Sequence, residues 1–112
     1  PADASVIFTS SSVGREGRAY WGAYSVSKFA TEGLMQVLAD ELENTSQVRV
    51  NSLNPGGTRT SMRAMAYPAE DPASVPEAES IMPAYLYLMS PASIGTTGQA
   101  LNARDLAETV SK

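Results

Sequence analysis

The 112-residue sequence contains no cysteine and no histidine. Without cysteine the chain cannot form disulfides, and without histidine it lacks the commonest general base and the commonest zinc ligand. Acid–base chemistry would have to come from Tyr, Lys, Asp or Glu side chains. We therefore expect no metal site, and any acid–base catalysis should depend on one of these four residue types.

Dense clusters of Lys and Arg are also absent, as are long apolar runs. The formal net charge is −4 and the pI is near 4.6, so we expect no nucleic-acid binding, because little positive charge is available to replace phosphate counterions. No run approaches the roughly 20 apolar residues of a membrane span, and the first residues lack the basic flank of a signal peptide. The expectation is a cytoplasmic protein, not in a membrane, with a small-molecule partner.

A length of 112 residues, 43% of them hydrophobic, fits one globular domain, and the order of its predicted strands and helix indicates the α/β class. Residues 5–9 and 48–53 have the composition of buried strands, and residues 23–42 have the apolar spacing of an amphipathic helix. A strand, a crossover helix and a strand predict a right-handed parallel unit. The apolar residues of the predicted helix are Val26, Phe29, Ala30, Leu34, Val37, Leu38 and Leu42.

Further along, residues 79–90 return to helical spacing, with Met89 among the residues on the apolar side, and residues 96–103 predict a last short strand. The proline-rich segment 66–80 suits either a lid or a connector. Inside the first helix, Gly33 costs roughly 1 kcal/mol relative to alanine, which predicts that another backbone packs closely there.

Tyr24 and Lys28 are four residues apart, so they share one face of the predicted helix. A neighbouring cation stabilises a phenolate and suits a tyrosine to acid–base catalysis. The same spacing is typical of a surface pair with a solvated lysine. Ser11 lies in the loop after the first strand, thirteen residues before Tyr24, where it could orient a substrate oxygen beside the phenol.

Together these residues resemble the short-chain dehydrogenase/reductase family. In that family a strand ending in Ser-Ser-x-x-Gly is followed, thirteen residues after the catalytic serine, by Tyr-x-x-x-Lys. Gly14 completes the first motif, and the sequence NPGGTRT at 54–60 matches the family's Asn-Pro-Gly-x-x-x-Thr. The resemblance covers about residues 5–102, and within the family the chain is most similar to uncharacterised bacterial oxidoreductases.

The resemblance implies a Rossmann-type domain and an NAD or NADP cofactor. Tyr24 would be the general acid that protonates a carbonyl oxygen as the nicotinamide delivers hydride, and the general base in the reverse direction. Lys28 would stabilise the phenolate and hydrogen-bond the nicotinamide ribose, and Ser11 would hold the carbonyl. The cofactor-binding residues would be Tyr24, Lys28, Pro55, Gly56, Thr58 and Thr60.

The sequence departs from the family at both ends. It lacks the glycine-rich cofactor fingerprint, the Asn-Ala-Gly element and the relay asparagine, and it has ALNARDL where the family commonly has Asp-Gly-Gly. The chain also begins with Pro1, not Met. We therefore expect residues 1–112 to be a partial single domain, the C-terminal half of a doubly wound parallel-sheet domain, inactive alone. The position that distinguishes NAD from NADP lies in the missing half.

Three functions stay open at this point. The first is oxidoreduction of a small carbonyl or alcohol by a homodimer or homotetramer. The second is a 3-oxoacyl-thioester reductase, which would use Arg15 or Arg18 for its acidic carrier, although exposed loop arginines are usually solvated. The third is a non-catalytic nucleotide-binding homologue. Ser10 and Ser12 are expected to be structural, because only Ser11 has the thirteen-residue spacing.

Overall fold

The structure, a computed structural model, describes residues 4–56 and 81–110, with side chains in the last helix as far as residue 106. The first range contains β1 (Ser5–Thr9), a 3-10 turn (Ser12–Gly14), α1 (Gly22–Glu43) and β2 (Arg49–Asn54). The second range contains α2 (Met82–Met89), a 3-10 turn (Pro91–Ser93), β3 (Ala100–Asn102) and α3 (Ala103–Val110). The segment 66–80, with its predicted lid or connector, lies outside the described residues.

The three strands form one parallel sheet in the order β1-β2-β3. Ser5 pairs with Arg49 at one end of the first pair and Thr9 pairs with Leu53 at the other. The parallel pairing confirms the α/β class, and it brings the carboxyl ends of all three strands to one edge of the sheet. In open sheets of this kind, ligands bind at that edge.

Helices cover both faces of the sheet. On one face, Val50 of β2 packs with Met35 and Ala39 of α1. On the other face, Leu53 of β2 packs against residues of the two C-terminal helices. Val50 and Leu53 have opposite parity, as the alternation of side chains along a strand requires. This three-layer arrangement is the predicted doubly wound fold. The buried residues of the second cluster are Leu53, Ala84, Leu88 and Ala103.

Helix α1 is confirmed almost to the residue, but its buried face differs from the predicted apolar face. The buried residues of α1 are Ser25, Glu32, Met35 and Ala39. By contrast, Val26, Phe29, Leu34 and Val37 are exposed, at 70%, 46%, 54% and 55%. The side of α1 that faces the sheet is therefore partly polar, and the predicted apolar stripe is largely on the outer side.

Two further expectations are not met among the described residues. Gly33 is exposed, and a Cβ added to it would have no described atom within 4 Å, so no described residue provides the predicted close backbone neighbour. Met89 is 64% exposed and does not belong to the buried side of α2. Near the C-terminus, Ala103–Val110 form α3, a helix that the sequence reading did not predict. Within the two described ranges no helix is long and apolar enough to cross a membrane.

Candidate active site

Three segments meet at the carboxyl edge of the sheet. Residues 10–14 follow β1, residues 54–56 end β2, and the first turns of α1 carry the candidate tyrosine and lysine. The Ser10 amide donates to the Leu53 carbonyl at 2.8 Å, which continues the pairing of β1 with β2 by one residue. Of the predicted cofactor loop, Pro55 and Gly56 are described, whereas Thr58 and Thr60 lie outside the described residues.

Ser11 has a half-buried side chain and a backbone held by the 3-10 turn. It is the N-cap of the 3-10 turn, has an extended backbone, and accepts a hydrogen bond from the Val13 amide at 3.4 Å. No described residue accepts a hydrogen bond from its hydroxyl. Its neighbours differ, since Ser10 is buried and Ser12 is exposed. The middle serine is thus the one that combines partial exposure with a fixed backbone.

Tyr24 and Lys28 lie close together, as their spacing predicts. The Lys28 Nζ atom is 5.6 Å from the centroid of the Tyr24 ring. The same ammonium group donates to the Thr9 carbonyl at the end of β1, at 3.2 Å. Tyr24 is 41% exposed, and its ring packs at a tilt against Trp21 with centroids 5.7 Å apart. The lysine therefore reaches from the helix to the strand end and places its charge beside the phenol.

The turn that carries Ser11 is packed directly on the helix that carries Lys28. A Cβ added to Gly14 would lie 2.7 Å from the Lys28 Cβ and 2.8 Å from the Lys28 carbonyl oxygen. In addition, the Ser25 hydroxyl donates to the Val13 carbonyl at 2.5 Å. These contacts give a physical reason for glycine in the Ser-Ser-x-x-Gly motif: α1 leaves no room for a side chain at this position.

Arg15 makes a network that its sequence position does not suggest. Its Nε atom donates to Glu32 Oε1 at 3.0 Å, and its Nη1 atom donates to Asn102 Oδ1 at 2.9 Å. Its Nη2 atom donates to the Leu101 carbonyl at 3.0 Å and to Ser52 Oγ at 3.3 Å. Arg15 is therefore not the solvated loop residue that its position suggests, and its guanidinium group is engaged with protein acceptors.

Glu32 is the buried anion of this network. It is 5% exposed, and the Ser52 hydroxyl donates to its carboxylate at 2.7 and 2.9 Å. Burial acts to raise the pKa of Glu32, but the hydroxyls of Ser10 and Ser52, the hydrogen bond from Arg15 and the charge of Arg15 together hold the pKa below its usual value. Ser10 acts through its proximity to the carboxylate, since its Oγ has no hydrogen-bond partner among the residues that the structure describes.

Sequence reasoning missed Glu32 and Ser52. A signal was available, because Ser25, Lys28, Glu32, Met35 and Ala39 recur at steps of three and four and so lie on one side of α1. An acid and a lysine on that stripe look like surface residues until the sheet-facing side is known. Only the buried residues of α1 identify that side.

A further contact extends the network to the loop after β2. The Asn54 side-chain amide donates to Asn102 Oδ1 at 3.2 Å, the same atom that accepts from Arg15. The Asn54 carbonyl oxygen of the side chain accepts from the Gly56 amide at 3.0 Å, and Gly56 has a φ of 77°. The positive φ favours glycine at this position, so the start of the predicted cofactor loop has a defined conformation.

An open groove of about 580 Å³ lies beside the first turns of α1. Its lining includes Arg18, Val26 and Phe29, but not Ser11, Tyr24 or Lys28. The groove is therefore not the candidate active site. Among the described residues there is also no group of three or more His, Cys, Asp or Glu that could hold a metal ion.

The chain matches known proteins over most of its length. The sequence profile described as short chain dehydrogenase matches residues 2–71. The uncharacterised oxidoreductase YciK of Escherichia coli strain K12 is 59% identical over 100 residues, which are 89% of this chain and 39% of that protein. This chain therefore spans about 39% of the length of that relative.

Two solved structures are similar in both fold and sequence. A short chain dehydrogenase structure from Pseudomonas syringae has a TM-score of 0.89 and 70% identity, covering 92% of this chain and 42% of that one. A short chain dehydrogenase from Shigella flexneri 2a, in complex with NADP, has a TM-score of 0.85 and 59% identity, covering 89% of this chain and 41% of that one.

Proposed function

Because the chain belongs to the short-chain dehydrogenase/reductase family, we propose that it is the catalytic half of an NAD- or NADP-dependent oxidoreductase that interconverts a small carbonyl compound and an alcohol. The chain spans about two fifths of the length of these relatives, and we expect the cofactor fingerprint in the remainder of the complete protein. The NADP complex of the Shigella flexneri relative supports a nicotinamide cofactor.

The observation that carries the proposal is the position of Lys28. Its ammonium group lies 5.6 Å from the Tyr24 ring and is anchored to the end of β1, at the sheet edge where ligands of such folds bind. An ammonium group has three donors, and one is used on the Thr9 carbonyl. The two remaining donors of Lys28 suit the hydroxyl groups of a ribose, which supports a nicotinamide nucleoside as the ligand at this edge.

The proposed division of roles follows from the chemistry of each side chain. When bound, the reduced nicotinamide supplies the hydride to the carbonyl carbon. The Tyr24 hydroxyl donates its proton to the carbonyl oxygen, and the positive charge of Lys28 stabilises the phenolate that remains. The Ser11 hydroxyl donates a hydrogen bond to the same oxygen, where negative charge develops. In the oxidative direction the Tyr24 phenolate takes the proton back.

The test is a Tyr24→Phe substitution in the complete protein that contains this chain. Turnover would be followed by NADPH oxidation with benzaldehyde, 2,3-butanedione and cyclohexanone, and cofactor binding by NADPH fluorescence. Loss of the proton donor should reduce turnover by about 100-fold or more, with NADPH affinity largely retained. Tyr20→Phe is the matched control, because Tyr20 is fully exposed and undergoes the same chemical change.

Unchanged turnover in Tyr24→Phe would refute the proposed role. Tight NADPH binding without hydride transfer to any carbonyl would instead favour the non-catalytic alternative. The 3-oxoacyl-thioester alternative is weakened, because one of its two expected arginines, Arg15, is engaged with four protein acceptors. Activity on an acyl-carrier thioester that depends on Arg18 would restore it. We further propose a cytoplasmic homodimer or homotetramer, on the resemblance to the family.

A further inference from the structure

We propose that Arg15 is a positioning residue, which holds the three candidate catalytic segments in one geometry through its pairing with Glu32. The proposal rests on the proposed function of the site. The three segments are the Ser11 turn (residues 11–14), the Tyr24–Lys28 turn of α1 (residues 22–28) and the start of the cofactor loop (residues 54–56). The side chain of Arg15 is hydrogen-bonded to α1, β2 and β3 together.

The first connection joins the Ser11 turn to α1. Arg15 directly follows Gly14, and its Nε atom pairs with Glu32 at 3.0 Å. Glu32 is one helical turn after Lys28, on the same sheet-facing side of α1. The ion pair therefore joins the end of the Ser11 turn to α1, next to the place where Gly14 packs on the Lys28 backbone. It restrains the position of Ser11 relative to Lys28.

The second connection joins the same arginine to the other two strands. Its Nη1 and Nη2 atoms donate to Asn102 and to the Leu101 carbonyl of β3. Asn102 Oδ1 also accepts from Asn54, whose side chain fixes the Gly56 amide. A displacement of the guanidinium group should therefore change the position of the start of the cofactor loop as well as that of the Ser11 turn.

The planar guanidinium group is suited to this role because its five donors have fixed relative directions. Four of its contacts here go to three different elements, and the charge of Glu32 is matched within the buried network. A lysine at this position would keep the charge but would present only one nitrogen. Arg15 therefore acts on the geometry of the site through its protein contacts.

The kinetic test uses Arg15→Met, Arg15→Lys and Glu32→Gln in the complete protein, with NADPH and 2,3-butanedione as probes. Misplacement of catalytic groups by about 1 Å should reduce kcat by roughly 10- to 100-fold, with little change in KM or in NADPH affinity. Turnover is normalised to the number of NADPH-binding sites, so that unfolded protein does not count. Arg15→Lys should have a kcat nearly as low as that of Arg15→Met, because lysine cannot present several donor nitrogens in fixed directions.

Two further variants make the test specific. Glu41→Gln removes an exposed carboxylate from the same helix and should leave kcat unchanged. The double variant Arg15→Met with Glu32→Gln should lose no more than the worse single variant, because both remove one coupled network. If the buried substitutions prevent folding, Ser52→Ala removes the hydroxyl that joins Arg15 to Glu32 and should show a smaller loss in kcat alone. Unchanged kcat per site in folded variants would overturn the proposal.

Amide hydrogen exchange separates a failure of this proposal from a failure of the proposed function, since it needs no turnover. Arg15→Met should raise exchange in residues 11–14, 22–28 and 54–56 together. Increased exchange near residue 15 alone would overturn the positioning role, even in an active enzyme. If the wild type reduces no carbonyl compound but all three segments respond, the proposed function fails and the positioning role of Arg15 stands.

Discussion

Replacing Gly14 by alanine adds one carbon atom at the most crowded contact of the candidate site. The new Cβ would lie 2.7 Å from the Lys28 Cβ, 2.8 Å from the Lys28 carbonyl oxygen and 2.9 Å from the Lys28 carbonyl carbon. Two of the three atoms belong to the backbone of α1, and the third is fixed to it. Rotation of a side chain therefore cannot relieve the overlap, and the turn and the helix must separate.

The size of the effect follows from ordinary contact distances. Carbon atoms pack at about 3.5–4.0 Å, so the turn must move away from the helix by roughly 1 Å. Overpacking of this kind costs about 1–3 kcal/mol of stability. The same movement displaces Ser11 relative to Tyr24 and Lys28, and a misplacement of about 1 Å can reduce turnover by up to about 100-fold.

The assay compares Gly14→Ala with Gly17→Ala in the complete protein. A Cβ at Gly17 would have no described atom within 4 Å and that residue is exposed in the same loop, so this control should change stability by no more than about 0.5 kcal/mol. Thermal unfolding measures stability, NADPH oxidation measures kcat, and NADPH fluorescence measures cofactor affinity. Gly14→Ala should lower the midpoint of unfolding and reduce kcat.

Two results would refute this reasoning at different points. Wild-type stability and wild-type kcat in Gly14→Ala would show that the turn is not packed on the Lys28 backbone. A loss of stability with unchanged kcat would show that the packing exists but does not set the distance between Ser11 and the tyrosine–lysine pair. In the second case, the motif glycine would be explained by folding alone.

Two other predictions concern α1. The pKa of Glu32 is lowered, so the stability that its carboxylate provides should be present above about pH 4.5 and lost as the pH falls through the lowered pKa. Denaturant titrations of wild type and Glu32→Gln should therefore differ near neutral pH and converge in acid, and a difference independent of pH would contradict the assignment. Gly33→Ala should raise stability by about 1 kcal/mol in thermal unfolding, because Gly33 is exposed in a helix. A loss of stability would mean that another segment packs on that face.

The parts of the fold that the sequence predicted are those with a strong local period. Both long strands and α1 were placed within about a residue, because apolar alternation and helical spacing are local properties. The proximity of Tyr24 and Lys28 followed from helix geometry alone. The short strand β3 was expected with wider bounds, and α3 was missed although its apolar residues Ala103, Leu106, Ala107 and Val110 recur at helical spacing.

The two glycines show why packing could not be predicted from the same information. Gly33 in mid-helix suggested a close backbone neighbour, and Gly14 was known only as a motif position. The structure reverses their importance, since Gly33 has no described atom near it and Gly14 contacts Lys28. Whether a glycine is needed for close packing depends on the element that lies opposite it. That element comes from elsewhere in the chain, so local sequence does not identify it.

The hydrogen bonds of Arg15 could not be predicted from the sequence for the same reason, because its partners are distant in the chain. Seventeen residues separate Arg15 from Glu32, and 87 separate it from Asn102, so no spacing rule joins them. They meet because β1, β2 and β3 are parallel and all end at one edge, where the loops after β1 and β2 and the inner side of α1 converge. Once that topology is known, a polar residue on the sheet-facing side of α1 must find a partner, since an unpaired charge buried there would cost several kcal/mol. Glu32 therefore requires a cation from a neighbouring loop, and Arg15 is the cation that the Ser11 turn supplies.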